Sequence, residues 1–167
     1  MERTEPDDHL DAVTARRRRW WLLRQAEEST TFREVLAGLA QDRRAVTLQV
    51  AGGQLGPFAL VDVGTDYVEV PADGTIIHLV ALRSITRAAA AGRAPLAPRW
   101  ARPPTVGGLV ERLHRAAADH PLVELRSPTG VVVGTLRSVG RDLAIVHPAD
   151  HSTVYVVVSE LVEVRMW

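Results

Sequence analysis

Residues 123–166 read VELRSPTGVVVGTLRSVGRDLAIVHPADHSTVYVVVSELVEVRM, an apolar, β-branched run cut by turn residues at short intervals. Val, Ile, Thr and Tyr pack well on a pleated surface, and clusters of Gly, Pro, Asp and Ser end such runs. The stretch therefore reads as a series of short antiparallel strands. A weaker copy lies earlier in the chain. Val46, Leu48 and Val50 alternate on one face, and further apolar runs follow at 58–63, 67–70, 76–82 and 85–88. Gly52-Gly53, Gly64-Thr65-Asp66 and Ala72-Asp73-Gly74 are the turn signals between them. Strands at roughly ten-residue spacing with tight turns predict a small barrel. Pro57 cannot donate to a ladder, so its strand is expected at an edge or bulged.

Each strand set follows a helical pattern. Thr31 and Glu34 have capping-box spacing, and Phe32, Val35, Leu36 and Leu39 form one apolar stripe that ends at 41–44. Val106, Leu109, Val110 and Leu113 repeat that stripe. Val63-Gly64-Thr65-Asp66 recurs as Val139-Gly140-Arg141-Asp142, and Leu60, Val70 and Val80 recur as Leu136, Val146 and Val156. On this alignment Phe32 to Val106 is an offset of 74 residues and Leu60 to Leu136 one of 76. The chain thus divides into a tail and basic helix at 1–30, a first repeat at 31–88, a linker at 89–104 with four prolines, and a second repeat at 105–167. The basic helix itself is expected over Asp11–Glu28, after an acidic, polar start.

Composition narrows the chemistry. With no cysteine among 167 residues, disulfides, thiolate zinc sites and cysteine nucleophiles are excluded. There is no lysine either, so all 20 basic side chains are arginine, a bias that points to GC-rich coding as readily as to phosphate binding. Formal net charge is zero. No apolar run approaches the roughly 20 residues of a membrane span. Trp20-Trp21-Leu22-Leu23 is cut short as an export signal by Arg24, Glu27 and Glu28, and a cytoplasmic location is expected.

The sequence contains no nucleophile elbow, phosphate loop or acid–base pair, so no enzyme, cofactor or catalytic residue is expected. His147-Pro148-Ala149-Asp150-His151 lacks a third convergent metal ligand and reads as a solvated turn. His114 and His120 read as helix-end residues, and Asp66 and Asp142 as turn formers. The sharpest charge feature is Arg16, Arg17, Arg18, Arg19 and Arg24 with Trp20 and Trp21, a segment without an acid. Arg93, Arg99 and Arg102 add positive charge in the linker. Basic residues interleaved with aromatics can hold phosphates and stack on bases. The same helix could instead pack its tryptophans on a barrel or lie on a membrane surface. The first repeat has 5 arginines against 6 acids and the second 6 against 7, so the positive excess lies outside the repeats.

One helix followed by five bent short strands resembles the Sm/LSm family. Gly134-x-Leu136-x-x-Val139-Gly140-x-Asp142 is similar to that family's bent second strand and turn. Val154–Val162, and Leu79–Ile85 in the first copy, are similar to its fourth strand, short turn and fifth strand. The chain also resembles uncharacterised actinobacterial proteins with two such units in tandem. The fold implied is mainly β with helices: two tandem small five-stranded Sm-like barrels, each preceded by an α-helix. The resemblance implies self-association through edge strands, with 153–158 and 161–164 supplying the edges, the first contact made within the chain, and a trimer giving a six-unit ring. The residues that grip RNA in that family are missing: the chain has no asparagine, and no Arg-Gly pair stands near Val80-Ala81 or Val156-Val157. RNA or DNA binding is expected from the arginine-rich helix and linker; a scaffold or protein-interaction role without nucleic acid is the alternative.

Overall fold

The computed structural model describes residues 7–72, 76–90 and 106–167. The described residues are mainly β, with three α-helices among them: α1 (Asp7–Ser29), α2 (Phe32–Gln41) and α3 (Leu109–Ala116). The first repeat contains β1 (Ala45–Val50), β2 (Gly53–Ala59), β3 (Asp62–Val63), β4 (Tyr67–Pro71), β5 (Ile77–Ala81) and β6 (Ile85–Ala90). The second contains β7 (Leu122–Ser127), β8 (Gly130–Val139), β9 (Leu143–His147), β10 (Val154–Val157) and β11 (Glu163–Met166).

Local chemistry starts α2 as the sequence implies. Thr31 Oγ1 accepts from the Glu34 amide at 3.3 Å, and Glu34 accepts from the Thr31 amide at 2.7 Å. The bond from the Thr31 amide, and after it one with the Thr31 side chain, hold the Glu34 carboxyl below the usual range. Leu36, Ala37 and Leu39 are buried, while Phe32 and Val35, the other half of the expected stripe, face outward. The second helix starts later than its stripe suggests. Val106 is 94% exposed and lies before α3, whose N-cap is Gly108. Thr31 therefore matches Gly108 and Leu36 matches Leu113, an offset of 77 rather than 74.

The change from 77 to 76 has a structural cause. β1 and β2 slip by one residue between Val46 and Leu48, which leaves Gly56 and Pro57 on β2 opposite Thr47. β7 and β8 pair without a slip over Leu122–Ser127. Pro57 thus sits on an edge strand and at a bulge, where its missing N–H interrupts no inner ladder. The expected strand at 58–63 is split into β2 and β3, with Leu60 turned into the core and Val61 left outside.

Among the described residues two sheets result, of order β2-β1-β6 and β10-β9-β8-β7-β11-β5-β4-β3, all pairings antiparallel. In the second repeat the strands run fifth-first-second-third-fourth without a break. The first repeat keeps that order, interrupted between β2 and β3. Among the described residues neither sheet closes on itself. The loop bonds repeat as well: Leu82 N donates to Asp66 O and Val158 N to Asp142 O, both at 2.8 Å. Gly64 is required locally because a methyl group there would overlap the Tyr67 ring, whereas Gly140 faces only ordinary contacts from Leu143.

The repeats are joined by β11, which lies between β7 of its own repeat and β5 of the other. Glu163 pairs with Val80 and Met166 with Ile77. Alternation then sends side chains of one strand into two cores. Val68, Val70 and Val80 fill the first core with Leu36, Val46 and Leu48. Tyr67 and Leu79 fill the second with Leu113, Val123, Leu125, Leu136 and Val164. Burial pushes the Tyr67 phenol above its usual range, as expected for a ring sealed under the other repeat.

Candidate functional site

α1 extends four residues earlier than the sequence implies and ends near the expected point. Arg16, Arg17, Arg18, Arg19 and Arg24 are all exposed on it. Trp20 is 67% and Trp21 61% exposed. Every described side chain of the helix is exposed, so a packed role for its tryptophans finds no buried contact among the described residues. Arg24 is drawn to Glu28 one turn on, at 3.0 Å. The helix thus presents its arginines and indole faces to solvent, an arrangement able to neutralise phosphates and stack bases. Arg93, Arg99 and Arg102 lie outside the described residues.

The two Asp turns meet in a cleft of about 470 Å³ between the repeats, lined by Asp66, Arg83, Leu109, Arg141, Asp142 and Ser159. The structure gives Asp66 a larger task than turn formation. Gly108 has no side-chain oxygen to cap α3, and Asp66 Oδ1 accepts from the Leu109 amide at 2.7 Å instead. A side chain at 108 would crowd that carboxylate, so the glycine admits the cap. Glu111 accepts from the Gly108 amide at 2.6 Å; a bond from its own amide, and then this one, hold its carboxyl below the usual range. Arg83 donates to the Leu161 carbonyl at 2.8 Å. Asp66 and Arg83 are thereby engaged in holding the repeats together rather than aimed at a ligand.

On the far side of β11 lies a second joint that sequence reading missed. His78 Nε2 of β5 approaches Glu163 Oε1 of β11 at 2.6 Å, with poor hydrogen-bond alignment. Both side chains are nearly buried. Arg165 lies 3.0 Å and Arg126 3.5 Å from the same carboxylate, and Glu124 binds Arg126 at 3.0 Å. The His78 contact, with help from the two guanidiniums and against the effect of burial, holds the Glu163 carboxyl below the usual range. No sequence signal links residues so far apart.

The remaining histidines stand elsewhere. His114 is exposed near the end of α3, and His120 follows that helix in left-handed conformation. Among the described residues no three His, Asp or Glu side chains are placed to share a metal ion. No described helix is long and apolar enough to cross a membrane.

Among the described residues the two sheets end on four strands, β2, β6, β10 and β3; β2 and β3 flank the break in the first repeat's second strand, while β10 pairs only with β9 and β6 only with β1. Tyr155 and Val157 of β10 are 67% and 50% exposed. No protein-family model matches the chain, and no curated protein matches it.

Proposed function

We propose that the chain is a non-enzymatic Sm-like module that self-associates through the edge strands β6 and β10. One observation carries the reading. Inside the chain the last strand of one repeat pairs with the fourth strand of the other, and the equivalent strands, β6 and β10, each have one side without a strand partner among the described residues. The 76-residue offset makes Tyr155 the counterpart of Leu79 and Val157 that of Ala81. Leu79 and Ala81 are 0% and 4% exposed under the second repeat, whereas their counterparts stand in solvent. An apolar edge strand of this kind templates pairing with another chain. Strand order within each repeat and the bulged second strand support the Sm-like barrel as the unit. By the internal register, Ala88 of a second copy lies opposite Tyr155, as Val164 lies opposite Leu79. Such a head-to-tail contact either closes into a ring, of which three chains make six units, or runs on as a filament.

Light scattering on the full chain at tens of micromolar tests this. Assembly is expected, and Tyr155→Lys with Val157→Lys should return a folded monomer, because inward charges on an edge block pairing. A wild-type monomer, or an assembly indifferent to these substitutions, overturns the reading.

A second reading rests on α1. Its solvent-facing arginines and tryptophans favour RNA or DNA as a partner of the assembled module. Titration with single-stranded RNA and duplex DNA tests it, and absence of binding at ~50 mM salt removes it.

A further inference from the structure

The second repeat holds a cleft of about 620 Å³ at the opposite end from the Asp turns. Its polar lining is His120, Thr135, Arg137, His147 and His151, with no carboxylate. Leu122, Val133 and Pro148 supply an apolar floor. The first repeat has Arg43, Phe58, Val61, Pro71 and Thr75 where the second has His120, Gly134, Arg137, His147 and His151. The cleft is therefore no inherited feature of the repeat.

Three details build it. Gly134 lets the chain close in, since a methyl there would sit 2.5 Å from the His147 carbonyl oxygen. Arg137 is the extra residue where β8 slips against β9, between Leu136 and Ser138. A bulge re-aims the side chain it carries, and here it brings Arg137 Nη1 to 3.4 Å from His120 Nε2. Among the described residues Arg137 has no carboxylate partner, although nearly every other charged group on this sheet is paired. The other ring nitrogen of His120 faces the Leu136 carbonyl at 3.4 Å. When Nδ1 donates there, Nε2 turns its lone pair to the guanidinium. With the hydrogen on Nε2 instead, an oxyanion between the two side chains accepts from both the ring and the guanidinium.

We propose that this cleft binds a phosphoryl oxyanion between Arg137 and His120, with His147 and His151 as further donors. The site is independent of the edge strands and of α1. The charged groups nearby are Asp119 before His120 and Asp150 in the His147–His151 turn, and neither lines the cleft. Asp150 is turned to its own loop, accepting from Ser152 Oγ at 2.6 Å and from the Ser152 amide at 3.0 Å; these bonds hold its carboxyl below the usual range. The oxyanion could arrive as free phosphate or on a nucleotide, whose base the apolar floor would accept.

The test is NMR of the histidine ring signals of the full chain, titrated with inorganic phosphate and, separately, with a nucleoside 5′-monophosphate. Saturable shifts are expected at His120, His147 and His151, with His78 and His114 unmoved. Arg137→Gln should weaken phosphate roughly tenfold, the usual size for a lost charge-assisted hydrogen bond. His151→Gln, on an exposed turn, serves if that variant folds poorly. Tighter binding of the nucleotide than of phosphate assigns the floor to a base; equal binding assigns the site to phosphate alone. Shifts that do not saturate, that appear equally at His114, or that survive both substitutions overturn the proposal.

Discussion

Glu163 concentrates the joint between the repeats in one carboxylate. It faces His78 from β5, Arg126 from β7, and Arg165 on its own strand, and Glu124 of β7 binds the same two arginines. Its folded-state pKa is depressed, so the stability it contributes is full above the unfolded value of about 4.5 and is lost as pH falls through the lower folded value. Glu163→Gln should cost about 1–3 kcal/mol near neutrality, because Arg126 and His78 then lose a buried charged partner. The difference between variant and wild type should shrink as the pH drops below about 5. Chemical denaturation across that range measures it, and a difference independent of pH would mean that Glu163 acts by packing alone. None of this was legible beforehand, because His78 and Glu163 meet only through strand register. Asp66 was half legible. Its place in a tight turn could be read from Gly64-Thr65-Asp66, but its bond to the Leu109 amide depends on how the repeats dock.

Elements were legible where their determinants are local. The Thr31–Glu34 box, the Gly-Asp turns and the β-branched runs each act within a few residues, and α2 and most strands lie where those signals put them. Elements set by distant partners were misjudged. The stripe at 106–113 matched the first helix in pattern but not in register, since the α3 cap comes from another repeat. α1 is a different case, a helix with no buried side chain among those described, whose stability rests on its own composition and length. Its task can therefore be altered without disturbing the fold. Changing Arg16, Arg17, Arg18 and Arg19 to Gln should leave thermal stability nearly unchanged. If α1 binds nucleic acid, the same change should reduce affinity and flatten the slope of log affinity against log salt between ~50 and ~200 mM, as fewer counterions are released. Binding with an unchanged slope would place the interface elsewhere, and a large fall in melting temperature would mean that the helix packs.

At the scale of the whole molecule the repeats are distinct in sequence but not in their cores. Tyr67 and Leu79 are 1% and 0% exposed inside the second repeat's core while their strands build the first. The eight-stranded sheet carries hydrogen bonds from β10 to β3 without interruption. A chain built this way cannot open one repeat without stripping apolar cover and strand partners from the other. Leu79→Ala should therefore cost about 2–5 kcal/mol, the usual range for a fully buried leucine. That loss should appear equally in both repeats, although the residue belongs to the first. Native-state hydrogen exchange resolves the question by peptide. Amides of β1 and of β8 should exchange through the same global opening, and Leu79→Ala should lower both by the same amount. The measurement belongs in the Tyr155→Lys, Val157→Lys background, so that contacts between chains do not add their own protection. If β8 opens well below β1, or keeps its protection when Leu79 is truncated, the second repeat folds alone and β11 is a bond between two domains instead of the spine of one.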